Sequence, residues 1–421
     1  MKVQKKAPSD SPTRARALRS LRNPAYRFYL TGSLFQFASL SAQIVVGPLL
    51  IYRLTGSTAL LGLMALLSSV PMMVLSLYGG AIADRFSKKK IIVISMFSGA
   101  IISLLLAAAL TTGIVSPDIY GSWWIVIGMM TLMGCLMGIM MPALQSLVAD
   151  IVEREELMNA VALNTFGMSI LNLVAPGIAG VMIDTFDFHS VYFAMAVLYL
   201  GGMSFIYLIP IQKQPQSEKP SRSNIWTEIV GGFQYIRKNV LIYTILVFVL
   251  LSTVLSMPYQ QLLPVFVDDI LGVGATGMGI LMSVSGAGAL AGSAVIALMP
   301  NRKRGLLLII SGLVTGVALI AFSASSIWAL SLGTMVFIGL GQTFRMTIGS
   351  TLLQTNADPR FRGRVMSIFS MQWGLMGLCT FVAGIIAETQ PVQWVLGSLA
   401  GMLVIITLLY LVSFGYLRSL E

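Results

Sequence analysis

The chain has 421 residues, of which 56% are hydrophobic and only 10% are charged, and its net charge is +11 at pH 7. An ordinary soluble domain has about 25% charged residues, so this composition excludes one, because too little charge remains to cover a water-facing surface. Spans of ~20 residues joined by short loops give this chain room for about twelve transmembrane helices. The composition therefore predicts an all-α membrane protein.

A basic arm, residues 1–25, begins the chain and has no apolar stretch of the kind that a signal peptide needs. Twelve apolar segments follow it. Each is predicted to be a helix, because backbone polar groups in lipid must be bonded within their own segment or in a closed barrel. The predicted spans are 26–52, 58–82, 91–113, 123–148, 157–182, 190–211, 240–263, 276–299, 305–324, 327–353, 363–388 and 393–416.

Lysine and arginine cluster in alternate connections between these segments, and the intervening connections have almost none. Because basic residues accumulate in cytoplasmic loops, this alternation predicts that both termini lie in the cytoplasm. The same alternation indicates that the positive charge serves membrane topology and contact with anionic lipid. It therefore argues against a nucleic-acid partner.

A polar linker follows the sixth span. Residues 212–224 read QKQPQSEKPSRSN, a composition typical of a flexible linker. The next segment, Ile225–Asn239, is predicted to be an amphipathic helix lying along the membrane. Its apolar face consists of Ile225, Ile229, Phe233 and Ile236. The expected division is a basic cytoplasmic arm at 1–25, a six-helix bundle at 26–211, the linker with its helix at 212–239, and a second six-helix bundle at 240–421.

The two halves look like diverged copies. Gly80–Arg85 can be aligned with Ala297–Arg302, and Ser146–Ala162 with Thr351–Ser367, in loops that follow corresponding spans. Parallel six-helix repeats are a known transporter plan, with the substrate site near the bilayer midplane between the repeats. We therefore expect two pseudo-symmetric bundles with a site at their interface.

The loop after the second span carries the most informative motif. Residues 80–90 read GAIADRFSKKK and resemble the signature G-x-x-x-D-R-x-G-R-R of the major facilitator superfamily, with Ser87 in place of the usual glycine. Gly80 permits close helix packing at the cytoplasmic end. The resemblance implies a fold of twelve helices in two bundles, with a gate at this loop.

In that gate, the resemblance implies that Asp84 accepts hydrogen bonds from the start of the eleventh span, near Arg362–Val365, and that Arg85 pairs with Asp150. The residues themselves favour a gating role for Asp84, since an acid within a basic cluster is unexpected. For Lys88–Lys90 the residues favour topological charge alone.

The fifth span holds a second motif. Pro176 and Gly180 match a degraded version of the pattern G-P-x-x-G-G of exporters in this superfamily, with alanine at two of the glycine positions. A helix of this kind can kink and pack closely, which favours gating and export. The chain also resembles a bacterial branch that includes enterobactin exporters and macrolide-efflux proteins, which implies a location in the bacterial inner membrane. The segments that carry this resemblance are Leu54–Ser57, Pro142–Gln145, Glu155–Ala160, Leu263–Phe266 and Arg362–Ser367.

Polar side chains within the spans are the candidate substrate-binding residues. Gln36, Ser39 and Gln43 form a polar stripe on the first span, which is predicted to face the central cavity, with hydrogen bonds to neighbouring helices as the alternative. The remaining candidates are Tyr259 and Gln260 in the seventh span, Gln342 and Arg345 in the tenth, and Gln372 and Trp373 in the eleventh.

Arg345 is the one basic residue well inside a predicted span, and an ionisable group there marks a functional site by default. No acid lies at matching depth, so its partner is an anionic substrate or helix carbonyls; alternatively, its side chain extends to the cytoplasmic face. Asp184 and Glu388 lie near extracytoplasmic ends and are, with Asp84, the candidates for proton coupling. Proton coupling is implied by the family, and the acid-poor spans give it little support.

Together these features predict a secondary transporter that exports amphipathic small molecules, drug-like or siderophore-like, by alternating access, with proton antiport left open. Nutrient uptake by the same fold, and a lipid-handling or sensor protein that reuses it, are the alternatives. The sequence has no phosphate-binding loop of the G-x-x-x-x-G-K-[ST] type and no histidine or cysteine cluster. We therefore expect no enzyme, no metal and no cofactor. The expected partners are a small-molecule substrate, the lipid bilayer and protons, and the expected state is a monomer.

Overall fold

The computed structural model describes residues 19–153, 155–210, 225–299, 303–359 and 361–413, apart from the side chains at 19, 77–85 and 225–230. Within these ranges the regular structure is helical, and no strand occurs. The predicted linker at 212–224 and most of the predicted basic arm lie outside the described residues. The helices are α1 (Pro24–Thr55), α2 (Thr58–Arg85), α3 (Lys88–Thr111), α4 (Trp123–Ile151), α5 and α6 (the two parts of Leu157–Tyr207), α7 (Ile225–Lys238), α8 (Val240–Ser256), α9 (Pro258–Val265), α10 (Gly274–Leu298), α11 (Arg304–Ser323), α12 (Trp328–Asn356), α13 (Arg362–Ser370), α14 (Gln372–Ala387) and α15 (Val392–Ser413).

The run that holds α5 and α6 crosses the membrane twice. As one straight helix its 51 residues would extend about 76 Å, whereas the hydrocarbon core of a bilayer is ~30 Å thick. Asp187 interrupts the run with a non-helical φ of 70° and ψ of 172°, and the chain folds back there. Asn164 of α5 and Gly202 of α6 consequently contact neighbouring residues of α1, Ser33 and Gly32.

The described helices account for twelve crossings. Ten runs are long and apolar enough to cross a membrane, and the run of α5 and α6 counts twice. α12 is the remaining crossing: it has 29 residues, and Gln342 and Arg345 make it less apolar. The seventh crossing consists of α8, α9 and a π-helical turn, Phe266–Ile270, and the eleventh consists of α13 and α14. The all-α fold with twelve spans in two pseudo-symmetric bundles is confirmed, while the exact domain boundaries stay predictions.

Local sequence signals set both ends of α1. The Asn23 side chain accepts a hydrogen bond from the N–H of Ala25 at 2.9 Å, and Pro24 occupies the first helical turn, where its missing N–H costs nothing. Gly56 ends the helix with a φ of 63°, and its N–H donates to the carbonyl of Tyr52 at 2.7 Å. Glycine adopts this left-handed conformation without steric cost.

The amphipathic helix α7 packs against α13. The Tyr235 ring stacks on Phe361 with ring centroids 4.3 Å apart, and its hydroxyl accepts a hydrogen bond from the N–H of Asp358 at 2.9 Å. On the predicted apolar face, Ile236 is buried and Phe233 is 48% exposed. One edge of that face therefore packs on the second bundle, and the other is free to face lipid.

The two halves meet through two helix crossings, α2 with α14 and α5 with α10. Glycine allows close approach at each. A Cβ atom added to Gly384 would lie 3.2 Å from the Cα atom of Gly62, and one added to Gly180 would lie 3.2 Å from the Cα atom of Gly279. α2 and α10 are the second spans of their halves, and α5 and α14 belong to the fifth spans. The pseudo-symmetry thus extends to the contact between the halves.

Candidate functional site

The two ends of the helix bundle differ in their charged contacts. The Arg53 end is defined by Arg53, Asp184, Asp268 and Glu388, and the Lys88 end by Lys88 and Asp150. The described side chains form polar contacts between the halves only from the Arg53 end inward. The contact farthest from that end involves the N–H of Gly177. This group donates to Oγ of Ser283 at 3.1 Å, about 14 Å along α10 from its start.

Two carboxylates join the halves at the Arg53 end. Asp184, at the end of α5, accepts a hydrogen bond from the N–H of Thr276 at 2.7 Å, in the first turn of α10. Glu388, just after α14, accepts from the N–H of Ala59 and from Oγ1 of Thr58, both at 3.0 Å, in the first turn of α2. A helix start has free N–H groups and a partial positive charge, so it favours a carboxylate. Each half therefore caps a helix of the other half at equivalent positions.

The Glu388 cap keeps its charge at neutral pH. Burial raises the pKa of the Glu388 carboxyl, but the hydrogen bonds from Ala59, Thr58 and Ser57 outweigh burial, and the pKa lies below its ordinary value. A group with a lowered pKa contributes its full stabilisation above the ordinary value of ~4.3. That stabilisation is lost as the pH falls through the lowered pKa.

We therefore expect Glu388→Gln to lower the thermal midpoint of the purified protein at pH 7, by the loss of a charged cap that contributes about 1 kcal/mol. The difference in thermal midpoint between the variant and the wild type should be constant from pH 6 to 8 and should narrow only below about pH 4.3. Asp118→Asn, at an exposed acid whose side chain contacts only its own loop, is the matched control. A difference that closes between pH 6 and 8 would contradict this expectation.

An ion pair also joins the halves at the Arg53 end. Arg53 Nε and Nη2 donate to the two oxygens of Asp268 at 3.0 and 3.1 Å, and the Tyr52 hydroxyl donates to the carboxylate of Asp269. Both acids lie in the π-helical turn of the seventh crossing. The pair is partly exposed, with side-chain exposures of 34% and 20%, so it contributes at most about 1 kcal/mol. Its bidentate geometry fixes the end of α1 against the other half.

Contacts at the Lys88 end hold the first half together. Lys88 Nζ lies 2.6 Å from a carboxylate oxygen of Asp150, and Lys89 Nζ donates to the carbonyl of Ile209 at 2.7 Å. The interpretation of these lysines as topological charge alone is therefore wrong, since two of them have specific partners. The predicted gating residues Gly80, Asp84 and Arg85 end α2, but their side chains lie outside the described residues.

The polar stripe of α1 packs against neighbouring helices of its own half. Gln36 is fully buried, with Nε2 3.6 Å from the sulfur of Met137. Gln43 is partly buried, and its Nε2 lies 2.7 Å from the sulfur of Met130. The side-chain oxygen of each glutamine has no hydrogen-bond partner among the described residues. Both side chains therefore have one polar atom free to bind a ligand or water.

The other predicted substrate residues form a cluster in the second half, which we call the Arg345 cluster: Arg345, Gln342, Tyr259 and Gln372. Tyr259 is buried, and its hydroxyl accepts from Nε2 of Gln342 at 3.3 Å. Gln372 is also buried, and its Oε1 accepts from Oγ1 of Thr253 at 3.0 Å. Gln260 lies at its edge, with Nε2 3.4 Å from the Tyr259 hydroxyl. Trp373 points elsewhere and is 40% exposed.

Arg345 reaches inward. It lies about 16 Å from the Lys88 end of α12, whereas its hydrogen-bond partner Ser256 lies about 24 Å from the same end of α8. The residue is only 1% exposed. The alternative that its side chain extends to the nearer membrane surface is therefore wrong, because the hydrogen bond draws the guanidinium toward the middle of the bundle.

Pro176 and Gly180 lie at the contact between α5 and α10. A Cβ atom at Gly180 would collide with the carbonyl of Ala275, and one at Gly279 with the carbonyl of Pro176. The motif in the fifth span thus supplies the close approach of the halves. Sequence reasoning did not assign a role to Arg53. The sequence did contain a signal for it. Arg53 is an isolated arginine at the membrane side whose connections are otherwise poor in basic residues, and the acid pair Asp268 and Asp269 is predicted to lie on the same side.

Known proteins share this architecture. The chain matches the Major Facilitator Superfamily over residues 29–380 and again over residues 262–418. It is 26% identical over 403 residues to the enterobactin exporter EntS of Shigella boydii, covering 93% of this chain and 92% of that protein. It is 23% identical over 337 residues to the staphyloferrin A transporter of Staphylococcus aureus, covering 77% of this chain and 82% of that protein. A crystal structure of a point mutant of the nucleoside transporter NupG has the same fold, with a TM-score of 0.74 at 17% identity over 93% of this chain and 100% of that one. This multi-pass membrane protein therefore belongs to the Major Facilitator Superfamily.

Proposed function

We propose that this protein is a secondary transporter of the bacterial inner membrane that exports amphipathic small molecules, siderophore-like or drug-like, by alternating access. The observation that carries the proposal is the pair of carboxylate caps, Asp184 on α10 and Glu388 on α2. They join the halves through hydrogen bonds that can break and form again without disturbing either bundle. The relatives that export enterobactin or transport staphyloferrin A support a siderophore-like cargo.

The orientation follows from the basic clusters. They belong to the Lys88 end, so we orient this end and both termini toward the cytoplasm. The Arg53 end is then extracytoplasmic, and it is closed by the caps and by the Arg53–Asp268 pair. In the opposite state Asp84 and Arg85 would close the Lys88 end, as the family motif implies. The substrate would bind between the halves, near Gln36, Gln43 and the Arg345 cluster, with a monomer as the working unit.

Transport by the purified protein in proteoliposomes tests this function. We would follow enterobactin, staphyloferrin A and the macrolide erythromycin, with protein-free liposomes as the control. Export predicts accumulation in everted membrane vesicles, whereas nutrient uptake predicts accumulation in intact cells. If none of the three compounds moved and a labelled lipid equilibrated between the leaflets, the lipid-handling alternative would replace this proposal.

Proton coupling can be tested in the same vesicles. Because the Glu388 carboxylate has a lowered pKa, it stays ionised at pH 7 in this conformation and acts as a latch. We therefore expect transport driven by an imposed pH gradient to keep its gradient dependence in Glu388→Gln, with a lower overall rate. Asp184→Asn is the paired measurement. Loss of gradient dependence in either variant would make that residue a proton carrier.

A further inference from the structure

Arg345 is a buried arginine whose hydrogen bonding is incomplete. Its Nη1 donates to the backbone carbonyl of Ser252 at 3.1 Å and to Oγ of Ser256 at 2.6 Å. Its Nε and Nη2 have no hydrogen-bond partner among the described residues. Arginine does not lose its proton in proteins, so a full positive charge lies inside the bundle with one side unsatisfied.

Among the side chains that the structure describes, no carboxylate is near enough to neutralise this charge. Helix α12 itself contains no Asp or Glu, and the nearest acid along the chain is Asp358, just past the end of α12, which lies about 16 Å from Arg345 along the axis. On the seventh crossing it is Asp268, about 18 Å beyond Ser256. The helices packed on α12, which are α8, α10, α11 and α13, contain no Asp or Glu. A buried charge without a partner is strongly unfavourable, so an anion from outside the chain is the group that fits here.

The two unpartnered nitrogens form one edge of the guanidinium. Nε–H and one N–H of Nη2 point the same way, and this fork matches the two oxygens of one carboxylate. Two uncharged polar groups belong to the same cluster: the Tyr259 hydroxyl, which lies near Arg345, and the Gln372 carboxamide, whose nitrogen has no partner among the described residues. The surroundings thus provide a charge, a bidentate fork and neutral groups that set orientation.

We propose that the Nε–Nη2 edge of Arg345 binds a carboxylate or equivalent oxyanion on the transported molecule, so that the substrates of this protein are anionic amphipaths. This proposal rests on the proposed transport function and names the substrate class of that site. Neutral and cationic amphipaths lack the group that completes Arg345, and they would leave its charge unpaired.

Binding to matched pairs of compounds tests the substrate class. The purified protein is titrated by calorimetry with 2,3-dihydroxybenzoate and its primary amide, and with dodecanoate and its primary amide. We expect the wild type to bind at least one carboxylate roughly tenfold more tightly than its amide. Arg345→Gln should reduce that ratio to about one. Arg345→Lys should retain part of it, because lysine keeps the charge without the fork. Arg237→Gln, at an exposed arginine of α7, is the control and should behave like the wild type.

Several results would overturn the proposal: equal binding of carboxylate and amide, no binding of either carboxylate, or a preference that survives in Arg345→Gln. Inorganic phosphate is titrated in parallel, and if it bound as tightly as the organic carboxylates, the site would take small ions and not the cargo. Circular dichroism and gel filtration of each variant confirm folding. Because binding is measured without transport, the charge preference can fail while export of a neutral compound in proteoliposomes upholds the general function.

Discussion

Gly180→Leu is expected to slow transport at least about fivefold while leaving the protein folded in the membrane. A Cβ atom at this position already meets the carbonyl of Ala275 on α10, and a leucine side chain would force α5 and α10 apart. Overpacking of a close contact costs about 1–3 kcal/mol, which lowers the population closed at the Arg53 end by about five- to 150-fold. Alternating access requires that state, so the transport rate should fall by a similar factor.

Gly128→Leu is the matched control, because a Cβ atom on this glycine of α4 has no neighbour within 4 Å. Gly384→Leu repeats the test at the symmetry-related crossing, where a Cβ atom would lie 2.5 Å from the carbonyl of Thr58. The measurements are the transport rate in proteoliposomes and the amount of protein in the membrane. If Gly180→Leu transported like Gly128→Leu, the α5–α10 contact would have no part in the cycle.

Removal of both carboxylate caps should open the Arg53 end. The combined variant Asp184→Ala and Glu388→Ala deletes two charged caps, each of which contributes about 1 kcal/mol. The caps lie on different helix pairs and share no partner, so their effects should add. A total of about 2 kcal/mol shifts the equilibrium between closed and open states about 30-fold.

The readout is the labelling of one cysteine by a membrane-impermeant maleimide. Val265→Cys is suitable, since Val265 is 7% exposed and lines a cleft at the Arg53 end with Tyr52 and Asp269; both native cysteines are replaced by serine. Labelling should be about 30-fold faster in the double variant, and each single variant should show about the square root of that effect. Asp118→Ala is the control acid at the same end. Unchanged labelling in the double variant would show that the caps do not hold this end closed.

The sequence was sufficient for the fold because its signals are local. Hydropathy, Gly56 after the first span and the basic clusters each depend on neighbouring residues. The caps could not be predicted in the same way. Glu388 was recognisable as an acid near a helix end, but its partner Ala59 is 329 positions away, and the pairing depends on how the two halves pack. The position of Arg345 along its span could be read from residue spacing. The direction of its side chain could not, because it depends on hydrogen bonds to Ser252 and Ser256 of another helix.

The duplicated caps also have a kinetic consequence. Because Asp184 and Glu388 hold separate helix pairs, one can release while the other still binds, and the barrier to opening divides into two smaller steps. In the intermediate between these steps, one helix pair has separated at the Arg53 end while the other pair is still in contact. A single-molecule distance trace across the Arg53 end should therefore show a short-lived intermediate level, and removal of either carboxylate should populate it more often.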